Sequence, residues 1–566
     1  MSESKWIRYR DSIRDYTLPK KFLLENYVHG KRLTHTVVAL SALSIFFFGY
    51  DQGMMSGVNN SPQYVDIMNF GTWDKDGNIK VTDSTKQGGI VSIYYFGTLC
   101  GCLFGGWFSD EFGRVKSVAL GALIAIIGAA LQGSAKQVSW MCGARFFNGI
   151  GTGILNAVVP VYSSETAEAT SRGAYICIEF TLNIFGVVVA YWLEFGLSYI
   201  GTMNSFRWRF PIFFQIIPLA VLFFFCWSFP ESPRYLIKIG HYERALELLK
   251  KMRGDERGTE EYNEIVSTFD YEKDSALSTN YFRIFFDCYK GTPEAVAKAK
   301  KLHISRRVYM VIILQVLQEW IGIAGITVYQ TDIFTQAGYT TRKSQWIAGI
   351  NNVFYCLSTL VAVFTIDRFG RRKITFVGCV LMGIFMFLAG GLSRAQQNHL
   401  DNKAWGAAST AMIFLYTSSF GASMLMTPWV IPSEMFPLKL RAAGNAAGVV
   451  GWSIGNGWLM LLCPVMFNNI HEKTLYIFGA CNFLTLIVYY LFYPETANRT
   501  LEEIDFLFAS NNPLAPACEA EFKRLKEEHK LASQNVNGLN IGDEKDESTS
   551  LEEDKELTST KIDQKV

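Results

Sequence analysis

Charge is what this sequence has least of for its length. Only 18% of its 566 residues are Asp, Glu, Lys or Arg, against 49% hydrophobic and 14% aromatic. A soluble chain this long divides into several domains, each with a charged surface, and the composition excludes that. The charge that exists is confined to short clusters, a stretch near 230–310 and the C-terminal tail. The eleven cysteines form no CxxC pair and no metal-ligand cluster. Cys100, Cys102, Cys226, Cys356, Cys379 and Cys463 lie inside apolar runs and read as small apolar side chains. No basic stripe with interleaved aromatics is present, so a nucleic-acid partner is excluded. There is no cleavable signal peptide: MSESKWIRYRDSIRDYTLPKK is polar, and the first long helix serves as the insertion signal. Nor is there a nucleophile–base constellation or a phosphate-binding loop. GNAAG (444–448) and the GIGTG run fall inside helices, where glycines serve packing. Neither an enzyme nor a cofactor or metal is expected.

What is present is length of apolar chain. About twelve runs of roughly 18–28 apolar residues each suffice to cross a hydrocarbon core of about 30 Å. The reading is an all-α polytopic membrane protein with twelve transmembrane helices, its partner the lipid bilayer. Arg114 and Lys116, Arg172, the 230–310 stretch, Arg368, Arg371, Arg372 and Lys373, and Lys439 and Arg441 fall in alternate loops. The excess of basic residues on one side places both termini and the long middle loop in the cytosol.

The chain also repeats itself. GWFSDEFGRVK (106–116) returns as TIDRFGRRK (365–373), SSETAEATSRG (163–173) as PSEMFPLKLRA (432–442), and PESPR (230–234) as PETANR (494–499). The offsets Asp110 to Asp367, Glu165 to Glu434 and Glu231 to Glu495 are 257, 269 and 264 residues. Two homologous six-helix halves follow. The domain reading is a cytosolic segment 1–32, a first bundle 33–229, a cytosolic loop with short helices 230–305, a second bundle 306–493, and a mostly disordered tail 494–566. HYERALELLKKMRG (241–254) is amphipathic and predicts one of the loop helices. Two pseudo-symmetric halves around a midplane site can rock and open it to one side at a time. At the cytosolic ends, Asp110, Glu165, Glu231, Asp367, Glu434 and Glu495 stand near Arg114, Arg172, Arg234, Arg371, Arg441 and Arg499. Their pairing is expected to latch that side shut in one state.

Six signatures in order, GWFSDEFGRVK, PVYSSETAEATSRG, PESPRYL, DRFGRRK, EMFPLKLR and PETANRTLEE, resemble the sugar-porter branch of the major facilitator superfamily over residues 30–505. AYWLEFGLSY (190–199) and TPWVIPSE (427–434) are most similar to fungal members of the glycerol/proton symporter kind. The resemblance implies the twelve-helix major facilitator fold in two six-helix bundles. It implies proton-coupled uptake of a hexose, pentose or polyol at the plasma membrane by a monomer, with the proton as coupling ion. The alternatives are a facilitative uniporter and a transporter-like nutrient sensor. The tail after residue 505 is acidic and poor in apolar residues. It is either a trafficking or ubiquitin target or a plain solubilising tail.

Two sets of site residues follow. FFFGYDQGMMSG (46–57) carries Asp51 inside an apolar run, roughly 27 Å along a helix that begins near Leu33. Gly49, Gly53 and Gly57 form a small-residue stripe for close helix packing, and Asp51 points to roughly the opposite face. An acid at that depth is costly unless paired or facing water. Arg145, on one face with Gly149 and Gly153, lies about 10 Å below the outer end of the fourth helix, where the two can meet. A neighbouring arginine favours a charged carboxylate and desolvation a neutral one, so an alternately wet and closed site can load and release a proton. The resemblance implies that role for Asp51 and Arg145. It also directs substrate binding to amides and indoles, and here the chain departs from the family. Its usual QQxxGxNxxxYY reads QEWIGIAGITVY (318–329), keeping Gln318 but placing Glu319, Ala324 and Val328 where Gln, Asn and Tyr are usual. Phe180, preceded by Glu179, occupies a usual Gln position, and Tyr355 a usual Asn position. Gly451 stands where Asn is common, and Trp429 and Trp452 are kept. Glu179, Gln318, Glu319, Tyr355, Trp429 and Trp452 are the candidate substrate contacts. Glu179 has a second reading, as a carboxylate paired with a neighbouring helix.

Overall fold

The computed structural model describes residues 23–527, apart from 75–78, 169–171, 202, 274–279, 290–291, 400–402, 438–439, 498, 500–502, 505–506, 509 and 511. The chain forms two compact units, Met1–Asn498 and Arg499–Val566. The first contains twelve membrane-spanning helices. In the first bundle these are α1 (Lys31–Asn59), α2 (Ser84–Phe112), α3 (Arg114–Gly133), α4 (Val138–Thr166), α5 (Arg172–Leu197) and α6 (Phe206–Phe214 with Ile216–Phe225). In the second they are α7 (Ile304–Trp320 with Ile323–Gln336), α8 (Thr341–Phe369), α9 (Arg371–Asn398), α10 (Ala404–Ala422 with Thr427–Met435), α11 (Arg441–Ile470) and α12 (Lys473–Phe492). Among the described residues, ten helical segments are long and apolar enough to cross a bilayer on composition alone. The other two spans, α4 and α10, fall short for identifiable reasons. Every residue of α4 from Gly151 to Thr166 is buried, so that stretch shows no apolar face to lipid. α10 is broken in two and rich in Ser and Thr.

On the face opposite the repeated basic signatures, α1 and α2 are joined by a short helix (Pro62–Met68) and a hairpin, β1 (Gly71–Trp73) antiparallel to β2 (Ile79–Val81). On the basic face, the segment between the bundles folds into the helices Pro233–Lys238, Tyr242–Arg253, Asp255–Lys273, Tyr281–Phe285 and Pro293–Lys301. The amphipathic stretch is indeed helical: Ala245, Leu248, Leu249 and Met252 form a core with Leu33 at the start of α1 and with Ile265. Arg253 fixes this cap to the first bundle, donating to Thr34 Oγ1 (3.1 Å) and to the carbonyl of Thr166 (2.8 Å).

The glycine stripes pack helices as their spacing predicts. A Cβ on Gly49 would stand 1.8 Å from the Asn183 carbonyl oxygen, and Gly53 and Gly57 face Val187 and Glu194, so the α1 stripe lies on α5. Gly149 and Gly153 of α4 meet the carbonyls of Tyr94 and Thr98 on α2. The two halves touch through small polar groups: Thr98 Oγ1 and Ser453 Oγ lie 2.7 Å apart, and Ser92 Oγ donates to the Gly457 carbonyl at 2.6 Å. Nearer the basic face, Asn445 Nδ2 donates to the carbonyl of Ala157 at 2.9 Å.

In the second unit, Arg499 pairs with Glu519 at 2.7 Å, and residues 515–527 are helical. The rest of the segment expected to be disordered, 528–566, and residues 1–22 lie outside the described residues.

Candidate functional site

The repeated signatures build the same charge network twice. Arg114 reaches both oxygens of Glu165 (2.9 and 3.0 Å) and lies 3.4 Å from Asp110. Glu231 accepts from the backbone N–H groups of Arg114 (2.8 Å) and Val115 (3.3 Å), capping the positive end of α3. In the second half Arg371 pairs with Glu434 (2.7 Å) and Asp367 (2.8 Å), and Glu495 caps α9 through Arg371 and Arg372 N–H, both at 3.0 Å. The residue before each capped helix, Gly113 (φ +103°) and Gly370 (φ +87°), must be glycine twice over. Its backbone is left-handed, and a Cβ would sit 2.5 or 2.6 Å from the capping carboxylate. The bonds on Arg114 and Arg371 each close within a single bundle and tie that bundle's helix ends together. Arg441 is fully buried at the start of α11, and Arg234 acts electrostatically on Glu165. The side chain of Arg172 lies outside the described residues.

Between the bundles, at mid-depth, lies a cavity with about 520 Å³ of empty volume. Gln318, Glu319, Tyr355, Trp429 and Trp452 all line it. Glu179 does not, and the reason is helical phase. Phe180 occupies the cavity wall, so Glu179, one residue and about 100° earlier, turns toward Ser163 of α4. The wall is largely aromatic. Trp452 lies 5.1 Å from Phe48 and 5.2 Å from Tyr95, and Trp429 lies 4.6 Å from Phe180. Glu319 is the one carboxylate of the lining, which contains no Lys or Arg, and it faces Asn456 and the Trp452 indole. All these groups are buried, while Gln52 and Thr327 of the lining are half-buried.

Gln318 has a structural task that the sequence did not reveal. α7 breaks at Ile321–Gly322 and α10 at Ser423–Met426, freeing backbone carbonyls in a region without water. Gln318 Nε2 donates to the carbonyls of Met424 (3.3 Å) and Leu425 (3.2 Å), and Gln315 Nε2 to that of Pro428 (2.9 Å). Tyr416 Oη and Asn482 Nδ2 serve the Ile321 carbonyl at 3.0 and 3.2 Å. A broken helix persists at membrane depth only when such partners exist.

Asp51 and Arg145 are each 1% exposed and lie in one polar cluster, but they form no ion pair within 4 Å. Asn148 Nδ2 instead donates to Asp51 Oδ1 at 3.3 Å. Arg145 lies over the Tyr94 ring at 5.0 Å and donates to Gln132 Oε1 at 3.2 Å. The Tyr94 hydroxyl also faces the Asp51 carboxylate. The sequence reading missed Asn148, Tyr94 and Gln132. Asn148 was within reach of it, because it follows Arg145 by three residues and so shares its face. The cluster and the cavity are adjacent yet distinct: Gln52 and Tyr95 line the cavity, while their chain neighbours Asp51 and Tyr94 belong to the cluster. Tyr94 and Tyr95 themselves touch edge to face at 5.2 Å.

The family model for "Sugar (and other) transporter" matches residues 36–508. Among curated proteins, the chain is 30% identical over 493 residues to "Sugar transporter STL1" of Saccharomyces cerevisiae, covering 85% of this chain and 82% of that one. It is 29% identical over 490 residues to "MFS-type transporter oryC" of Aspergillus oryzae, covering 86% and 87%. Among solved structures, it is similar to the proton:xylose symporter XylE bound to 6-bromo-6-deoxy-D-glucose. That likeness has a TM-score of 0.71 at 23% identity and covers 84% of this chain and 99% of that one. The inward-open form of XylE from E. coli gives a TM-score of 0.63 at 22% identity, covering 83% and 99%.

Proposed function

Because the chain belongs to the sugar-transporter family of the major facilitator superfamily, and is a multi-pass membrane transporter rather than an enzyme, we propose that it takes up a small polyhydroxylated solute together with a proton. The cargo class is a hexose, pentose or polyol such as glycerol, and the route is alternating access across the plasma membrane. The basic face lies in the cytosol, and the monomer suffices.

The observation that carries this reading is the adjacency of the two centres. On α1 and again on α2, one residue faces the polar cluster and the next faces the cavity (Asp51 and Gln52, Tyr94 and Tyr95). A small rotation of either helix as the cavity closes on cargo therefore changes the surroundings of Asp51, whose buried carboxylate is the place for a proton. Arg145, held by Tyr94 and Gln132, supplies the positive charge that keeps the deprotonated state tolerable during return. The cavity chemistry supports a hydroxylated cargo. Indole and phenyl rings cover the C–H faces of such a molecule, and Glu319, Gln52 and Asn183 meet its hydroxyls. The similarity to a sugar transporter and to a proton:xylose symporter agrees with both parts of the proposal.

The deciding experiment uses cells without their own carriers and records external pH while xylose, glucose, sorbitol or glycerol is added. Alkalinisation is expected with at least one of them, and Asp51→Asn is expected to abolish it while leaving the protein at the membrane. Uptake without proton movement in the unmutated protein would remove the coupling and leave a uniporter. Trp429→Ala removes the ring stacked on Phe180. It is expected to raise the apparent KM about fivefold with a smaller change in kcat, the loss of one aromatic contact being worth about 1 kcal/mol. This is read from uptake at varied cargo concentration.

A further inference from the structure

On the lipid-facing side of the second bundle, α8, α9 and α10 enclose a groove with about 1180 Å³ of empty volume. α8 and α9 are joined at Gly370, and each leans on α10. The back wall is where Gly378 approaches Ser423: a Cβ there would stand 2.0 Å from the Ser423 hydroxyl. The sides are apolar, with Val361 and Phe369 on α8, Val377 and Phe385 on α9, and Leu415 on α10. The serines of α10 leave the wall chemically quiet, since Ser423 Oγ already donates to the Ser419 carbonyl. The groove begins at Lys373, on the basic face, and runs to Phe385. Twelve residues of helix make about 18 Å, close to one leaflet of a hydrocarbon core about 30 Å thick.

Its open end carries positive charge that the protein does not use. Of the basic residues in the α8–α9 turn, Arg371 is committed to Glu434 and Asp367, and Arg372 donates to the Tyr490 carbonyl. Lys373 lines the groove, is exposed and has no hydrogen bond or ion pair among the described residues. Arg368 is also exposed, its guanidinium 5.8 Å from the centre of the Phe369 ring. The acid of the turn, Asp367, faces Arg371 at 2.8 Å.

We propose that this groove binds one phospholipid of the adjoining leaflet, with an acyl chain along α9 and an anionic headgroup on Lys373 and Arg368. Depth, apolar walls and two uncommitted cations at the interface end match that molecule part by part. A zwitterionic choline lipid matches only the walls, because it brings its own cation to Lys373. The inference rests on the membrane placement of the bundle and not on cargo or coupling, so its failure leaves the transport reading standing.

The test is lipid retention by the purified full chain in mild detergent, counted by native mass spectrometry. Phosphatidylserine and phosphatidylcholine with identical acyl chains are compared. The serine lipid is expected to be retained on the order of tenfold better. Arg368→Gln with Lys373→Gln should bring it down to the choline level. Val377→Trp, which fills the groove without touching the basic pair, should lower retention of both. Monodisperse variants that still take up cargo show that the fold is intact. Equal retention of the two lipids by the unmutated protein, a serine preference that survives the double substitution, or undiminished retention of both lipids by Val377→Trp would each overturn the proposal.

Discussion

Arg114→Ala is expected to destabilise the protein by roughly 3–5 kcal/mol, the cost of leaving a buried charge without its partner. Glu165 is 4% exposed, and both its oxygens take their hydrogen bonds from this one guanidinium. Remove it, and the carboxylate must stay desolvated or the end of α4 must open to water. Lysine should rescue little, because a single ammonium cannot donate to both oxygens in the forked geometry. The repeat supplies an internal control. Arg371→Ala breaks the equivalent network, but the side chain of Asp367 is 42% exposed and that of Glu434 19%. Water can reach these acids, so the loss there should be smaller. The measurement is thermal unfolding of the purified variants. The double change Arg114→Ala with Glu165→Gln should recover part of the loss, since it removes the stranded charge. Equal Tm values for Arg114→Ala and the unmutated protein would reduce this network to solvated surface charge.

Gly49→Ala is expected to remove nearly all folded protein from the membrane, whereas Gly53→Ala on the same stripe should be tolerated. The added methyl is the same; the neighbour differs. At Gly49 it would stand 1.8 Å from a backbone oxygen of α5, which no rotamer change can move. At Gly53 the nearest atoms are the Ala190 Cβ and the Val187 Cα at 3.1 Å, which a helix shift of a few tenths of an ångström relieves. Overpacking ordinarily costs about 1–3 kcal/mol, and a backbone collision at the first position exceeds that range. Surface labelling and detergent-resistant monodispersity of the two variants check the contrast. Comparable yields would mean that α1 and α5 are free to separate at Gly49.

The fold was legible because membrane helices are written in long apolar runs, and the duplication because charged signatures recur at nearly fixed offsets. The candidate site was legible in depth but not in phase. Asp51 and Arg145 could be set at the same level from helix rise alone, yet Asn148 is what Asp51 bonds to and Gln132 what Arg145 does, and a rise says nothing about which side chains pair. Glu179 reads from the sequence either as a substrate contact or as a carboxylate turned to a neighbouring helix, and it faces α4. On an isolated helix a one-residue choice is a rotation of about 100°, and only the packing partner fixes it. The charge signatures announced their pairing but not whether a pair closes within a bundle or across two. The amide of Gln318 was legible as a contact for hydroxyls. Its work on the freed carbonyls of α10 depends on which side chain faces the break ahead of Pro428, and packing alone fixes that.

Those breaks make the molecule unequal in stiffness. An intact helix resists bending because its hydrogen-bond ladder must open first. In α7 and α10 the ladder is already open, at Ile321–Gly322 and Ser423–Met426, and both openings flank the cavity wall beside Glu319 and Trp429. α1, whose ladder has no such gap, carries Asp51 and Gln52 as one rigid strut. Beside the cavity, compliance therefore sits in the half-helices of α7 and α10 and rigidity in α1. When the cavity tightens on a solute, the wall that yields is the half-helix of α7 or α10, pivoting on side-chain amides. The strut that carries the acid moves only as a whole, so it transmits the displacement instead of absorbing it.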